Sequence, residues 1–592
     1  MAFANQANTT RNGIDWAGIG WLYLFFWYFS GLNHVLLQFT GTTIFFGFRQ
    51  SVFMSLLWLV PVLLFPHRTR AISAVIGVVL WFFSLFSLGY FCIYGQEFSQ
   101  SVIFIIFESN QAESSEYVAQ YFSWWMIPAL LVYSAVAVYL WKRIRPVFLP
   151  RGLAWAISLL ILFFLFGYPL YRQAIVKQAP AERVREQMED RMEPAVPWQM
   201  VIGYLHYREQ LGNMQDLLLT NAKVPPIANL VDANTGQPAT LVLVIGESTN
   251  RQHMSLYGHP RPTTPKLDAM RDQLLVFNNV FSPRPYTIET LQQVLTFADQ
   301  KNPDWYLTRP SIMNMMKQAG YQTYWITNQQ TMTKRNTMLT TFSKQTDKQF
   351  YLNNSRAQNS RQYDDDVLEP FQQILREPAP RKFIVVHLLG THMKYEYRYP
   401  PEYERFTNRD GVPQALTDEQ AAIYNTYDNA VLFNDHVVSS LIEDLAATKS
   451  KALLVYFSDH GEDVFDSAGH KMLGRNEGAP TVPMYAIPFI VWGSDAWRAT
   501  HPMNFGREVL ERRYSTSDFI YTWADFAGMR FDDFDSSKSL IGKGFKEQPL
   551  WVGDPYGKVP LVDLRSLMPK TQVAKPGKKM THEAGGTVRQ SD

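Results

Sequence analysis

Cysteine is almost missing from this chain: 592 residues hold one, Cys92, and it lies inside an apolar run. No disulfide staples the sequence after it, and no thiolate is available there as metal ligand or nucleophile. Any metal must be held by His, Asp, Glu or hydroxyl oxygen, and any covalent chemistry must use a hydroxyl or a carboxylate. Charge of one sign is also lacking. Lys and Arg number 55 against 53 Asp and Glu, a net charge of +2, and no basic stripe interleaved with aromatics occurs. Nucleic-acid binding is set aside on that ground. The opening MAFANQANTTRNGIDWAGIG lacks the basic region, short apolar core and small-residue cleavage site of a removable signal peptide, so the first apolar run is expected to stay as an anchor.

What is there is unevenly spread. The length calls for two or three folding units, and the long apolar runs all precede residue 172. Five segments read as membrane spans: Trp16 to Phe39, Val52 to Pro66, Ala71 to Tyr94, Trp125 to Trp141 and Leu153 to Tyr171. Most approach the roughly 20 residues that a helix needs to cross the hydrocarbon; the second is short and carries Pro61. A cytoplasmic N-terminus places Arg11, His67-Arg68-Thr69-Arg70, Lys142, Arg143, Arg145 and Arg151 inside, and leaves Arg49 with Glu97, Glu108, Glu113 and Glu116 outside. Only that orientation satisfies the positive-inside rule, and an odd number of spans then delivers the rest of the chain to the periplasm.

The expected organisation is a five-helix transmembrane domain over 1–172, a bridging segment over 173–232, a catalytic domain over 233–562, and a polar, disordered tail over 563–592. The bridge, with PWQMVIGYLHYREQLGNMQDLLL, suits either an amphipathic helix on the membrane surface or a surface helix of the soluble domain. From Thr240 onward, short apolar runs (LVLVIG, TYWIT, FIVVHLL, ALLVYFSD, IPFIVWG) alternate with helical stretches such as PSIMNMMKQAG and YDNAVLFNDHVVSSLIEDLAA. That alternation predicts an α/β domain with a mostly parallel central sheet covered on both faces. Its ligand site should lie beyond the carboxyl ends of the strands.

Three of those ends carry candidate ligands: Glu247-Ser248-Thr249, Thr391-His392, and Asp459-His460-Gly461-Glu462. A single strand-end Asp or His is more often a turn residue; three ends on one edge reverse those odds. Glu247, Asp459 and His460 give two carboxylates and an imidazole, a set suited to zinc, with manganese as the lesser alternative. For both Asp459 and His460 to bind one ion the chain must turn sharply, and Gly461 allows that. His392 and His470 are natural partners for a second ion or a phosphoryl oxygen. In SPRPYTIETL, Thr287 and Thr290 both fall near a helix N-terminus, where free N–H groups favour an anionic phosphoryl group. Alone, each threonine reads as a helix cap.

LVLVIGESTNRQHMSLYGHPRPTTPKLDAM, the T-x-x-[ST]-L segment, HLLGTH and FSDHGE, in that order behind five apolar segments, closely resemble the bacterial phosphoethanolamine transferases of the alkaline-phosphatase and sulfatase-like superfamily. QEFSQSV, RMEPAVPWQ, WITNQQTMTKRNTMLT and HKMLGRNE look like the enterobacterial branch that decorates the heptose region of the lipopolysaccharide core. The resemblance implies that Glu247, Thr287, Asp459 and His460 are zinc ligands and that Thr287 is the nucleophile. It implies transfer from phosphatidylethanolamine to lipopolysaccharide through a phosphoethanolaminyl-threonine, by an inner-membrane protein with a periplasmic catalytic domain. His392 and His470 match positions that contact the transferred group or a second zinc; Asn328 or Gln329 match polar substrate contacts; Ser109 and Glu113 match an element that receives the ethanolamine headgroup. The family Asn four residues before Ser109 is replaced here by Ile105. The lack of disulfides separates the chain from the lipid A branch. Three rivals remain to be weighed. A sulfatase needs a Cys or Ser in a C/S-x-P-x-R context, which the Thr287 segment lacks; a glycerophosphate transferase shares the metal set; a non-catalytic scaffold would have lost a ligand.

Overall fold

The computed structural model describes residues 14–40, 45–94, 98, 103, 106–107, 121–220, 224–329, 337–353, 363–501, 503–556 and 560–568. Ser109 and Glu113, together with Ile105, lie outside the described residues.

Each of the five apolar segments is helical. Helix α1 is Trp16–Thr40, α2 Phe45–Ser55, α3 Leu59–Leu64, α4 Thr69–Tyr94, α5 Met126–Arg143 and α6 Arg151–Leu162. The second segment is divided: a 3-10 turn, Leu56–Trp58, joins α2 to α3 and puts Pro61 in the first turn of α3, where its missing N–H costs no hydrogen bond. Helix α6 continues through a π turn, Phe163–Gly167. Three stretches among the described residues are long and apolar enough to cross a membrane: Gly47–Leu64, Pro66–Ile93 and Arg151–Val176. The other two are weaker in composition, since α1 carries Asn33 and His34 and α5 ends on Lys142-Arg143. Phe25, Phe26, Phe29, Leu59, Val62, Leu80 and Tyr133 fill the space between the helices, while Val75, Val78, Leu131, Leu159 and Phe164 face outward and exposed.

Helices α7, Ala181–Met192, and α8, Trp198–Thr220, form the bridge. Near its start α8 buries Met200 with Tyr90, Phe98 and Ile103, and a few turns on Leu211 packs against the core of the large domain. One helix thus touches both parts of the molecule.

The large domain is built on a seven-stranded sheet: β1 Ala239–Gly246, β2 Leu274–Val276, β3 Gln322–Thr327, β4 Lys348–Tyr351, β5 Arg381–His387, β6 Ala452–Ser458 and β7 Phe489–Gly493, in the spatial order β2-β7-β6-β1-β5-β3-β4. It is a mixed sheet. Strands β6, β1, β5, β3 and β4 run parallel, whereas β7 is antiparallel to both β6 and β2. The cause lies in the connections. The connection from β6 to β7, Asp459 to Pro488, makes no crossover along the sheet, so β7 returns beside β6 in the opposite direction.

Along β1 all eight residues are buried. Leu241, Leu243 and Ile245 join one core, and Val242 and Val244 the other, as the two-residue period of a strand demands. Helix α9, Thr287–Val294, packs on the first side and the long α10, Asp418–Ala447, on the second. A capping box between Thr417 and Gln420 starts α10. Residues 563–568, expected in the polar tail, are folded: Val562–Asp563 pairs with Trp551–Val552, and Leu564 is buried. Residues 569–592 lie outside the described residues.

Candidate active site

Strand register assembles the site. Gly246 pairs with Ser458 on adjacent parallel strands, so the next residues, Glu247 and Asp459, leave the sheet side by side. Ser248 follows with φ of +59°, a left-handed conformation costly for a side-chain-bearing residue. That turn aims its N–H at Asp459 Oδ1 (3.2 Å) and its hydroxyl at Glu247 Oε1 (2.9 Å). His460 N donates to Asp459 Oδ1 at 2.7 Å, and His460 Nε2 lies 3.2 Å from Glu247 Oε1. Thr287, the first residue of α9, donates its hydroxyl to Glu247 Oε2 at 2.8 Å. Thr290 points elsewhere, to the Arg284 carbonyl at 2.9 Å. Of the two threonines, it is Thr287 whose hydroxyl reaches the cluster.

Glycines make the close packing feasible. Gly461 is not left-handed; it is needed because a Cβ there would run into the Pro483 carbonyl oxygen. At Gly390 φ is +55°, and a Cβ would lie 2.5 Å from the Glu247 carbonyl oxygen. Gly390→Ala is therefore expected to cost about 1–3 kcal/mol and to displace Glu247. A melting temperature lowered by a few degrees, with activity falling further than the stability loss explains, is the expected measurement; an unchanged melting curve would contradict it.

Glu247, Asp459 and His460 are all buried, and one ligand atom from each lies within 4.8 Å of the others. Burial pushes the Asp459 carboxyl well above its ordinary range, and the neighbouring Glu247 charge pushes it further. Burial acts on Glu247 in the same direction, but the His460 ring and the Arg475 guanidinium beside it outweigh it and hold that carboxyl low. Asp459 Oδ2 is buried and receives no hydrogen bond. Two buried carboxylates, one oxygen unsatisfied, beside an imidazole, form a donor set that fits a zinc ion.

Of the remaining expected residues, Gln329 reaches Glu247 Oε2 at 3.4 Å. Asn328 turns away and donates to Asp364 at 2.8 Å. His392 lies in the field of Glu247, yet burial lowers its imidazole to about 3, so it is neutral. His470 is held within its own loop, Nδ1 to the Phe465 carbonyl at 2.6 Å, with its carbonyl accepting from Gln420.

Sequence reasoning missed Arg475. Its Nη1 lies 2.5 Å from His460 Nε2 and 3.7 Å from Glu247 Oε1, and its Nε pairs with Glu462 at 3.1 Å. No periodicity or spacing marks an arginine in the LGRNE loop. A second trio, His253, His259 and Asp428, also has ligand spacing. The Arg261 guanidinium already occupies it, donating to Asp428 at 2.9 Å, so it is a buried ion-pair network that ties α10 to the loop after β1.

The chain and its fold resemble those of known proteins. The Sulfatase family model matches residues 239–529. The phosphoethanolamine transferase EptC of Escherichia coli K12 is 53% identical over 557 residues, 93% of this chain and 96% of that one. The crystal structure of the C-terminal periplasmic domain of E. coli EptC, in complex with Zn, is 57% identical and covers 58% of this chain and 97% of that one, with a TM-score of 0.57. The integral membrane lipooligosaccharide phosphoethanolamine transferase A of Neisseria meningitidis is 17% identical, covers 88% of this chain and 98% of that one, and shares the fold with a TM-score of 0.62. Identity at this level along nearly the whole length makes the chain a member of the phosphoethanolamine transferase family, an enzyme with a sulfatase-type catalytic domain.

Proposed function

We propose that this transferase moves phosphoethanolamine from phosphatidylethanolamine to the heptose region of the lipopolysaccharide core, in two steps through a covalent adduct on Thr287. The observation that carries the reading is the 2.8 Å hydrogen bond from the Thr287 hydroxyl to Glu247, inside a cluster with one unsatisfied carboxylate oxygen. Glu247, Asp459, His460 and Thr287 Oγ would hold one zinc ion, with His392 and His470 the partners of a second or of the phosphoryl oxygens. Zinc bound there lowers the pKa of the threonine hydroxyl and offsets charge on the phosphoryl group.

In the first step Thr287 Oγ forms a bond to phosphorus, the bond from phosphorus to the diacylglycerol oxygen breaks, and the threonine proton ends on that oxygen. In the second an acceptor oxygen on lipopolysaccharide attacks the adduct, its proton returns to Thr287, and the threonine is released. The field at the start of α9 favours the anionic adduct. Ser109 and Glu113 are the headgroup contacts on this reading.

Both substrates are lipids, which gives the membrane part its purpose: anchoring replaces a three-dimensional search by local encounter. The five helical segments are read as five spans of the bacterial inner membrane, and the domain from 233 to 562 as periplasmic. The exposed Val75, Val78, Leu131, Leu159 and Phe164 support this, as does the basic clustering at 67–70 and 142–151. The test is mass spectrometry of lipopolysaccharide from cells with and without the protein. The expected gain is one phosphoethanolamine on the core, and identical core masses would sink the acceptor assignment.

A further inference from the structure

A guanidinium in a metal-ligand cluster calls for an explanation, because a permanent cation there opposes the binding of another. His460 Nδ1 donates to the Gly461 carbonyl at 3.0 Å, which leaves the ring with its lone pair on Nε2, the atom facing the carboxylates. Arg475 Nη1 donates to that lone pair at 2.5 Å and to the Pro285 carbonyl, two residues before Thr287, at 3.3 Å. The guanidinium thus fills space at the ligand cluster from the Thr287 side.

The arginine is firmly mounted. Its Nε is paired with buried Glu462, which also accepts from the Tyr395 hydroxyl at 3.2 Å. On one side of Arg475 in the chain, Leu473 accepts a hydrogen bond from the Tyr121 hydroxyl at 3.2 Å; on the other, buried Asn476 accepts from the Tyr90 hydroxyl, at the end of α4, at 3.1 Å. Next, Glu477 forms a buried pair with Arg284, three residues before Thr287 (2.9 Å). The loop is therefore clamped between the membrane-proximal helices and the nucleophile segment. At Gly474, φ of +88° and the Tyr121 hydroxyl, which a Cβ would strike, leave no room for another residue.

We propose that Arg475 binds the non-bridging oxygens of the phosphoryl group during transfer to and from Thr287. A cation held at His460 Nε2 would take one acceptor from Arg475 Nη1 and repel that end of the guanidinium, while Glu462 keeps Nε in place. With Glu247 and Asp459 occupied by the cation, the displaced end would turn to the phosphoryl group at Thr287, where its planar fork can present two parallel N–H donors. Arg475 is thus a specificity and transition-state contact for the phosphoryl group of the lipid headgroup, carried on a loop that the membrane part holds in register.

The inference rests on the covalent Thr287 reading, and the test separates the two. Full-length protein in detergent, loaded with zinc, is given phosphatidylethanolamine, and the rate of phosphoethanolamine addition to Thr287 is followed by mass spectrometry. Zinc affinity is measured separately by competition with a chelator. Arg475→Met is expected to slow adduct formation about 10²-fold, the usual loss for one preorganised donor to a developing anion. Arg475→Lys, which keeps the charge without the fork, should fall between Met and wild type. Zinc affinity in Arg475→Met should equal or exceed that of wild type, since a competing cation has gone. Adduct formation at the wild-type rate in Arg475→Met overturns the proposal, as does loss of zinc from both variants, which would mark a structural arginine. Wild-type protein that transfers the group without ever labelling Thr287 overturns the covalent reading and this one with it.

Discussion

Thr287→Ala is expected to form no adduct and to transfer phosphoethanolamine on the order of 10⁴ to 10⁶ times more slowly than wild type, the scale of losing a nucleophile that acts as one unit with its activating groups. No neighbouring hydroxyl can substitute. Thr290 Oγ1 donates to the Arg284 carbonyl, and Ser248 Oγ to the other oxygen of Glu247. The substitution removes one hydroxyl and one methyl from a partly buried helix start, so the fold should persist. Thr287→Ser keeps the oxygen but loses the methyl that restricts χ1; about a tenfold loss is expected from the looser placement. The assay is transfer of labelled headgroup, with mass spectrometry of the peptide carrying residue 287. Undiminished transfer by Thr287→Ala would remove the covalent mechanism.

The parts of the site that were legible in the sequence are those fixed by strand ends. A buried strand must be apolar on both faces, so the first polar residue after it is marked by contrast, and Glu247, Asp459 and His460 were found that way. What the sequence does not contain is register: that Gly246 lies opposite Ser458 is set by the packing of two distant strands. By residue type and position alone Thr287 and Thr290 are equal, both hydroxyls in the first turn of one helix; the family resemblance pointed to Thr287, and in the fold Thr290 is turned to the Arg284 carbonyl. Strands β2 and β4 were missed for a simpler reason. Three and four residues long, at the sheet's two edges, they carry too little pattern to stand out. Arg475 is the extreme case, because its loop has no period and its place beside Glu247, more than two hundred residues away, comes only from the fold. In the membrane part, hydrophobicity revealed each helical segment, whereas the 3-10 break at Leu56–Trp58 leaves no mark in a run that is apolar throughout.

Removing zinc should abolish transfer and also change how stability depends on pH, and the second effect isolates the carboxylate pair. Without a cation, burial and the Glu247 charge raise Asp459 well above its ordinary range. In the unfolded chain an aspartate loses its proton near pH 4. Between that point and the raised folded value the native state holds more protons than the unfolded one, so the stability contributed by this group is present below about pH 4 and is lost as pH rises. Glu247, held low, contributes in the opposite sense and only in acid. Zinc held there would ionise both carboxylates, so the loaded protein should lack the downward slope toward neutrality. Melting curves of stripped and zinc-loaded protein are therefore expected to lie closest in mild acid and to separate toward pH 7. Readded zinc should restore both the melting temperature and transfer. Asp459→Asn should flatten the slope of the stripped protein, because the titrating group is gone, and should weaken zinc by more than the about 10- to 100-fold that the loss of an outer-shell partner costs. Full activity in protein shown to be free of metal would exclude zinc from the mechanism. Parallel pH curves with and without zinc would mean instead that the ion does not bind at Asp459.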